Sequence, residues 1–297
     1  MNTVRVNQAH RLADADGRFA MVALDHRESL RGMMNTAPDE TTVPDERLRA
    51  FKRAGVEVLA PAATAVLLDR RFGLRADGYS GMPASTALIL AADRYDQAPG
   101  GPVRSVMLDE EITPELVRAS GAAALKLLVH WRPDGQVERR AELLERFLDL
   151  NRRCGTASVV EGVVRPVEGQ QWSSPAERNR SAVAAATELC AVNPDLYKTE
   201  VPGYVPGDLS AVRQWSAEVT KVAQRPWVVL SSGVRTAEFP AALRLACAGG
   251  AAGFLAGRAV WADAVTAAEP ATAFRDDSLP RLRSLTEIAN GAVASNR

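Results

Sequence analysis

Two of the four lysines stand in apolar stretches of a chain whose basic residues are mostly arginine. Lys126 lies in Ala-Leu-Lys-Leu-Leu-Val, and Lys198 lies in Asp-Leu-Tyr-Lys-Thr-Glu-Val. Burying an ammonium costs free energy, so a lysine in such a stretch is paired, placed at an edge or kept neutral. A neutral lysine amine attacks carbonyl carbons and forms Schiff bases. These lysines therefore suggest Schiff-base chemistry, and structural ion pairs with Glu161 or Glu200 are the alternative.

Glu161 is a single carboxylate in the apolar stretch Ser158-Val-Val-Glu161-Gly-Val-Val-Arg165, which lies between the two lysine stretches. It is positioned to accept and return a proton beside a covalent intermediate. It is equally suited to be the counter-ion of Lys126, and both roles can hold together. Arg165 follows four residues later, where it can bind an anion.

Polar residues also follow the apolar stretch Phe19–Leu24, in the order Asp25-His26-Arg27-Glu28. We expect Asp25 to bind a substrate hydroxyl or to orient a lysine. The alternative is a polar turn that caps a helix.

Small residues and an arginine end the last two apolar stretches, as Ser231-Ser232-Gly233 and Gly257-Arg258. Small residues let backbone N–H groups approach an oxyanion, and Arg258 adds positive charge. We expect Ser232, Gly233, Gly257 and Arg258 to bind a phosphate, and plain turns are the alternative.

The elements that must position these residues form a repeat of short apolar strands and amphipathic helices. Eight strands are predicted: Phe19–Leu24, Ala65–Leu68, Thr86–Ala91, Ala123–Val129, Ser158–Val164, Asp195–Val201, Trp227–Ser231 and Ala251–Ala256. This alternation predicts a parallel sheet. Eight such units in 297 residues favour one α/β domain over residues 1–297, a closed (β/α)₈ TIM barrel. An open doubly wound sheet would need a Gly-x-Gly-x-x-Gly turn after its first strand, and the sequence has none there.

The barrel would bring the candidate residues together. Functional residues of such barrels lie at the carboxyl ends of the strands, and alternate strands share an interior layer. Lys126 and Lys198 belong to the fourth and sixth predicted strands, so we expect their amines to approach each other, which would favour the neutral form of both.

Helices are predicted between the strands, and a final outer helix is predicted at Leu279–Ala294. Four others are predicted at Asp45–Val58, Val137–Arg153, Ser174 to about Ala191, and Glu238–Cys247. The segment Gly100–Leu108 fits the repeat poorly. Gly121, Gly155 and Gly249 follow helices, where glycine commonly adopts a left-handed conformation.

Composition narrows the function classes. The formal net charge is zero, which argues against partners such as nucleic acid or an anionic membrane. No apolar run approaches the roughly 20 residues of a membrane span, and residues 1–18 are too polar for a signal peptide. Cys154, Cys190 and Cys247 are widely separated and are predicted to be reduced, as in a cytoplasmic protein. The three histidines have no ligand-like spacing, so we expect no metal site and no cofactor.

The strand ends, taken together, resemble a known family over roughly residues 15–295. The matching segments are Phe19–Glu28, Ala124–Arg132, Glu161–Pro166, Leu196–Pro202, Pro226–Val234 and Gly253–Trp261. In order and content they resemble the bacterial class I aldolases of the tagatose-1,6-bisphosphate aldolase group, and within that group the sulfofructosephosphate aldolases most of all. Telling matches to that branch are Arg27-Glu28, Trp131-Arg132 and Arg165-Pro166.

The resemblance implies a lyase that binds a sugar phosphate without a metal. Lys198 would form the Schiff base with the dihydroxyacetone phosphate part of the substrate, and Glu161 would be the acid/base. Asp25 and Lys126 would line the site. The substrate implied is 6-deoxy-6-sulfofructose 1-phosphate, cleaved to dihydroxyacetone phosphate and sulfolactaldehyde in sulfoquinovose catabolism.

The sulfonate at the aldehyde end would be held by Arg27 or Arg165. His26 stands where the family leads us to expect glutamine, and we place it near the same end. Because barrels of this kind often pair, we expect a homo-oligomer.

Three alternatives stay open at this point. Tagatose or fructose 1,6-bisphosphate also carries an oxyanion at carbon 6, so the same chemistry could act on either. A metal-dependent barrel aldolase conflicts with the histidine count. A catalytically silent sugar-phosphate-binding protein would bind the ligand without turnover.

Overall fold

A closed barrel of eight parallel strands forms the centre of the molecule in the computed structural model, which describes residues 7–35, 43–78, 80–97 and 103–294. Its strands are β1 (Phe19–Ala23), β2 (Ala65–Leu68), β3 (Ala87–Ala91), β6 (Ala124–Trp131), β7 (Ala157–Val164), β8 (Leu196–Glu200), β9 (Trp227–Leu230) and β10 (Gly253–Ala256). The order around the barrel is β1-β10-β9-β8-β7-β6-β3-β2. The predicted fold class is therefore confirmed.

Side chains alternate between two apolar cores, as strands covered on both faces require. The core inside the barrel includes Met21, Leu67 and Val159, all fully buried. The larger core lies between the strands and the surrounding helices and includes Phe147, Leu189 and Phe254. Lys126, Glu161 and Lys198 each lie two residues after an apolar residue of this inner core, on the same face of the strand. They are therefore nearer the carboxyl ends of their strands.

The helices occupy the connections between the strands, and the five that were predicted with bounds differ from the prediction by at most one residue at either end. They are α1 (Glu28–Met34), α2 (Asp45–Leu59), α3 (Arg70–Gly73), α4 (Pro114–Ser120), α5 (Val137–Cys154), α6 (Pro175–Cys190), α7 (Val212–Ala223), α8 (Phe239–Ala248), α9 (Arg258–Trp261), α10 (Pro270–Ala273) and α11 (Leu279–Ala294). Ser174 caps the start of α6, since its hydroxyl accepts a hydrogen bond of 3.2 Å from the Glu177 N–H. The final outer helix, α11, is confirmed.

An antiparallel hairpin interrupts the repeat after β3. Its strands are β4 (Asp93–Gln97) and β5 (Val103–Leu108), and they form a sheet of their own. The hairpin accounts for the poor fit of the segment Gly100–Leu108, of which residues 100–102 lie outside the described part. It packs against the barrel mouth through Tyr95 and Val106.

One predicted glycine conformation is wrong. Gly121 and Gly155 are left-handed, with φ of 69° and 66°, but Gly249 has φ of −93°. Gly249 is required by close packing instead, because a Cβ there would lie 2.5 Å from the Ser216 Cβ. The left-handed residue at this turn is Gly250, with φ of 106°.

Among the described residues no helix is long and apolar enough to cross a membrane. The three cysteines are unbonded, and Cys190 and Cys247 are buried.

Candidate active site

Lys126 is the centre of a buried cluster of charges inside the barrel. It is 1% exposed, and its Nζ lies 2.8 Å from Asp25 Oδ2, 2.9 Å from Asp93 Oδ2 and 3.1 Å from Glu161 Oε2. Burial favours the neutral amine, but these three carboxylates outweigh it and raise the pKa of Lys126 well above its ordinary value. The expectation that Lys126 tends toward the neutral form is therefore corrected: its charge is held by three anions.

Lys198 lies next to this cluster and is 3% exposed. Its Nζ donates a hydrogen bond of 2.9 Å to Glu161 Oε2, the same oxygen that Lys126 contacts. The two lysines approach each other as predicted, with one carboxylate oxygen between them. In the described part of the chain, Glu161 is the one carboxylate within ion-pair distance of Lys198.

Asp25 continues β1 into the same cluster. Burial alone would raise the pKa of its carboxyl, but Lys126 and Lys198 together hold that pKa well below its usual range. Asp25 is therefore ionised at neutral pH, and it can orient Lys126 or accept a hydrogen bond from a substrate hydroxyl.

Arg27 is committed to a contact within the protein. Its guanidinium donates to the backbone oxygen of Asp93 at 2.8 Å and to Asp93 Oδ1 at 2.9 Å, and it stacks 4.5 Å above the Tyr95 ring. Asp93 is fully buried and also accepts a hydrogen bond of 3.0 Å from the Leu128 N–H. Arg27 thus fixes the hairpin to the barrel.

Arg165 lies at the carboxyl end of β7 with its side chain 41% exposed. It donates a hydrogen bond of 3.0 Å to its neighbour's backbone oxygen, that of Val164, and lies 3.8 Å from Glu200 Oε1. Glu200 accepts a closer hydrogen bond of 3.0 Å from Arg178. Of the two arginines predicted at the aldehyde end, Arg165 is therefore the more available for an external anion.

The residues predicted to bind phosphate lie together at the ends of β9 and β10. Arg258 Nη2 donates a hydrogen bond of 2.7 Å to Ser232 Oγ, and no described carboxylate lies within ion-pair distance of Arg258. Gly233 is left-handed, with φ of 79°. Burial lowers the pKa of the Arg258 guanidinium, and an anionic ligand would compensate for that burial.

His26, which we placed near the aldehyde end, lies beside Gly257, one of the residues predicted to bind phosphate. Its ring meets Trp261 edge to face with the centroids 5.0 Å apart, and a Cβ at Gly257 would lie 2.7 Å from its Cε1. The reason is the barrel order, since β1 is the neighbour of β10. Burial lowers the pKa of His26 to about 3, so the imidazole is neutral.

Sequence reasoning missed Asp93 and Tyr95, which the hairpin brings to Lys126. The Tyr95 hydroxyl accepts a hydrogen bond of 3.3 Å from Lys126 Nζ. Asp93 stands two residues after the end of β3, so the rule that strand ends carry function, applied to the third strand, would have found it.

The residues that the structure describes contain no group of three or more His, Cys, Asp or Glu arranged to hold a metal ion.

Comparison with known proteins places this geometry in a family. Residues 19–263 match the family model described as DeoC/LacD family aldolase. Tagatose 1,6-diphosphate aldolase 2 of Enterococcus faecalis is 25% identical, covering 96% of this chain and 93% of that protein. Tagatose 1,6-diphosphate aldolase 1 of Streptococcus pyogenes serotype M3 is 27% identical over 89% of this chain and 87% of the relative.

Solved structures share the fold at lower identity. Fructose-bisphosphate aldolase from Plasmodium falciparum superposes with a TM-score of 0.75 at 15% identity, covering 98% of this chain and 97% of that one. An archaeal fructose 1,6-bisphosphate aldolase gives a TM-score of 0.60 at 18% identity, over 96% and 98% of the two chains. The family model covers most of the barrel, so this chain belongs to the DeoC/LacD family of aldolases and is a lyase.

Proposed function

We propose that the protein is a class I aldolase that cleaves a ketohexose 1,6-bisphosphate, tagatose or fructose, through a Schiff base on Lys198. The observation that carries the proposal is the shared Glu161 oxygen, which lies 2.9 Å from Lys198 Nζ and 3.1 Å from Lys126 Nζ. This arrangement gives one buried amine a single carboxylate partner and holds the other amine charged.

In the proposed cleavage, Lys198 forms the covalent bond to the substrate and Glu161 moves the proton. The Lys198 amine adds to the C2 ketone and water leaves, giving an iminium. Glu161 takes the proton of the C4 hydroxyl as the C3–C4 bond breaks, and the electron pair of that bond passes into the iminium to give an enamine. The aldehyde departs, C3 takes a proton, and water releases dihydroxyacetone phosphate and the free lysine.

Lys126 and Asp25 hold the substrate hydroxyls. Ser232, Gly233, Gly257 and Arg258 would bind the 1-phosphate. Binding energy from that remote group positions C2 against Lys198. Arg165 would bind the anion at carbon 6.

The names of the relatives favour a bisphosphate over the sulfonate sugar that the sequence motifs suggested. Arg27, one of the two cations expected to bind the sulfonate, is paired with Asp93. Cleavage of 6-deoxy-6-sulfofructose 1-phosphate stays a prediction that the same assay tests.

The experiment is a comparison of kcat/KM for tagatose 1,6-bisphosphate, fructose 1,6-bisphosphate and 6-deoxy-6-sulfofructose 1-phosphate. We expect a bisphosphate to be cleaved with the highest kcat/KM. A clear preference for the sulfonate would restore the prediction from the motifs. Binding of all three without turnover would overturn the enzymatic assignment.

We further expect a cytoplasmic homo-oligomer, which light scattering at working concentration and fractionation of producing cells would test. The single-domain organisation over residues 1–297 predicts one cooperative unfolding transition.

A further inference from the structure

The hydrogen of the Tyr95 hydroxyl has no acceptor in the part of the chain that the structure describes. Its oxygen accepts a hydrogen bond of 3.3 Å from Lys126 Nζ. A phenol is both a donor and an acceptor, yet among the described residues no acceptor receives the Tyr95 proton. Burial raises the pKa of Tyr95 well above its ordinary value, with Asp93 adding to the effect, so the proton stays on the oxygen.

The ring is fixed in place from two sides. The Arg27 guanidinium covers one face at 4.5 Å from the ring centroid. Tyr95 also packs against a cluster of three buried residues at the mouth of the barrel, Leu128, Val163 and Leu230. The first two lie two residues after Lys126 and Glu161 on β6 and β7, which puts them one pleat nearer the mouth. Tyr95 therefore lies on the side from which a substrate enters.

Three contacts connect Lys198 to this hydroxyl. They are Lys198 Nζ to Glu161 Oε2 at 2.9 Å, Glu161 Oε2 to Lys126 Nζ at 3.1 Å, and Lys126 Nζ to the Tyr95 hydroxyl at 3.3 Å. In a Schiff base on Lys198, the C4 oxygen is four bonds from the imine nitrogen. It is the reacting oxygen that must approach Glu161, and so it comes close to Tyr95 as well.

Building on the proposed aldolase function, we propose that Tyr95 is a catalytic residue that donates a hydrogen bond to the C4 oxygen of the substrate. Glu161 takes the proton of the C4 hydroxyl during cleavage. Tyr95 keeps its own proton and stabilises the negative charge that develops on that oxygen. In the reverse reaction the same bond polarises the aldehyde carbonyl. No atom is transferred to or from Tyr95.

The role predicts a selective defect. Dihydroxyacetone phosphate has no C4 oxygen, so steps that involve it alone do not need Tyr95. In the Tyr95→Phe variant the ring, its stacking on Arg27 and its apolar packing all remain. We expect borohydride trapping of dihydroxyacetone phosphate, and exchange of its C3 hydrogen with solvent deuterium, to stay within twofold of the wild type. Condensation with glyceraldehyde 3-phosphate should fall by about a hundredfold, the usual effect of removing one oxyanion donor.

Tyr204→Phe is the matched control. The Tyr204 hydroxyl is hydrogen-bonded to Glu238 and to the Arg235 backbone, and not to a member of the charged cluster. The condensation rate of Tyr204→Phe should therefore match that of the wild type. Thermal unfolding would confirm that both variants are folded.

Three outcomes would overturn the assignment. An unchanged condensation rate in Tyr95→Phe would rule out a hydrogen bond from Tyr95 to the C4 oxygen. The proposed aldolase function would be unaffected by that result. Equal losses in trapping and condensation would show that Tyr95 only positions Lys126. Failure of the wild type to trap dihydroxyacetone phosphate would overturn the proposed function and this role with it.

Discussion

Lys198 and Glu161 are register partners on neighbouring strands, and the lysine amine donates a hydrogen bond of 2.9 Å to the glutamate. Both side chains therefore point into the barrel at the same level. A carboxylate at this distance can accept a proton from the amine or from a substrate hydroxyl bound beside it. The pair therefore supplies the amine and the carboxylate that the proposed Schiff-base cleavage requires.

Glu161→Gln should separate the proton transfer from the covalent step. The amide keeps the shape of the side chain but cannot act as a base, so kcat for bisphosphate cleavage should fall by about a hundredfold or more. The final yield of the borohydride adduct with dihydroxyacetone phosphate should persist, because the Lys198 amine is intact. Glu218→Gln, which removes an exposed partner of Lys221, is the control. Wild-type kcat in Glu161→Gln would rule out its role as the base.

Arg165→Gln should weaken recognition of the carbon 6 anion only. Loss of a charged hydrogen bond there should raise KM for fructose 1,6-bisphosphate by about tenfold. KM for fructose 1-phosphate, which has no second anion, should change little. Arg235→Gln, at an exposed arginine paired with Glu238, controls for the lost charge. Equal changes in KM for the two sugars would contradict the role of Arg165.

Gly257→Ala should impair phosphate binding through His26. The added Cβ would lie 2.7 Å from His26 Cε1 and 3.0 Å from the Ala23 backbone oxygen. His26 cannot yield easily because its ring is packed against Trp261. We expect inhibition by inorganic phosphate to weaken by about tenfold, equivalent to roughly 1.4 kcal/mol. Gly291→Ala, where a Cβ meets no atom within 4 Å, is the control and should be inhibited by inorganic phosphate as strongly as the wild type. Equally strong inhibition of Gly257→Ala would contradict the predicted steric effect.

Asp93→Asn should destabilise the fold. Asp93 is fully buried and pairs with Lys126 and Arg27, so neutralising it leaves two cations short of a partner. Breaking a buried pair costs about 3 kcal/mol in free energy of unfolding, which urea titration would measure. Asp96→Asn, at an exposed position on the same strand, should change stability by less than about 0.5 kcal/mol. Similar stability for the two variants would mean that Asp93 does not anchor the hairpin.

Two neutral histidines should make the fold sensitive to mild acid. Burial lowers the pKa of His26 to about 3 and that of His130 to about 4, with Arg165 and Arg132 adding to the effect at His130. An unfolded histidine has a pKa near 6.5, so below that pH the unfolded chain binds protons that the folded protein excludes. The free energy of unfolding should therefore fall as pH decreases from about 6.5 to 5, by up to about 1.4 kcal/mol per pH unit for each histidine.

Substituting these histidines tests the sign. His26→Gln or His130→Gln should flatten the pH dependence of the urea midpoint in that window. His10→Gln, at an exposed histidine, should leave the slope unchanged. A slope unaffected by either buried substitution would contradict the argument.

The barrel could be predicted because each strand is a short apolar stretch that can be recognised from its own residues. Stretches such as Ala65–Leu68 are apolar throughout, and the structure gives this strand the predicted ends. The hairpin could not be predicted in the same way. Asp93–Gln97 alternates between inward and exposed residues over a short length, and it pairs with β5 in a separate antiparallel sheet that is not part of the strand–helix repeat.

The sequence was sufficient to predict most residues of the candidate site, but not which of them contact each other. Residue type and strand position indicated Lys198, Glu161 and Lys126. Where a side chain turns after a strand ends is set by tertiary neighbours, so the pairing of Arg27 with Asp93 and the packing of His26 on Trp261 left no local signal in the sequence.

The most direct test of the central claim is reduction with sodium borohydride in the presence of dihydroxyacetone phosphate, followed by peptide mass mapping. We expect one adduct, on the peptide containing Lys198, and none in a Lys198→Met protein. An adduct on Lys126, or trapping that survives in Lys198→Met, would contradict it.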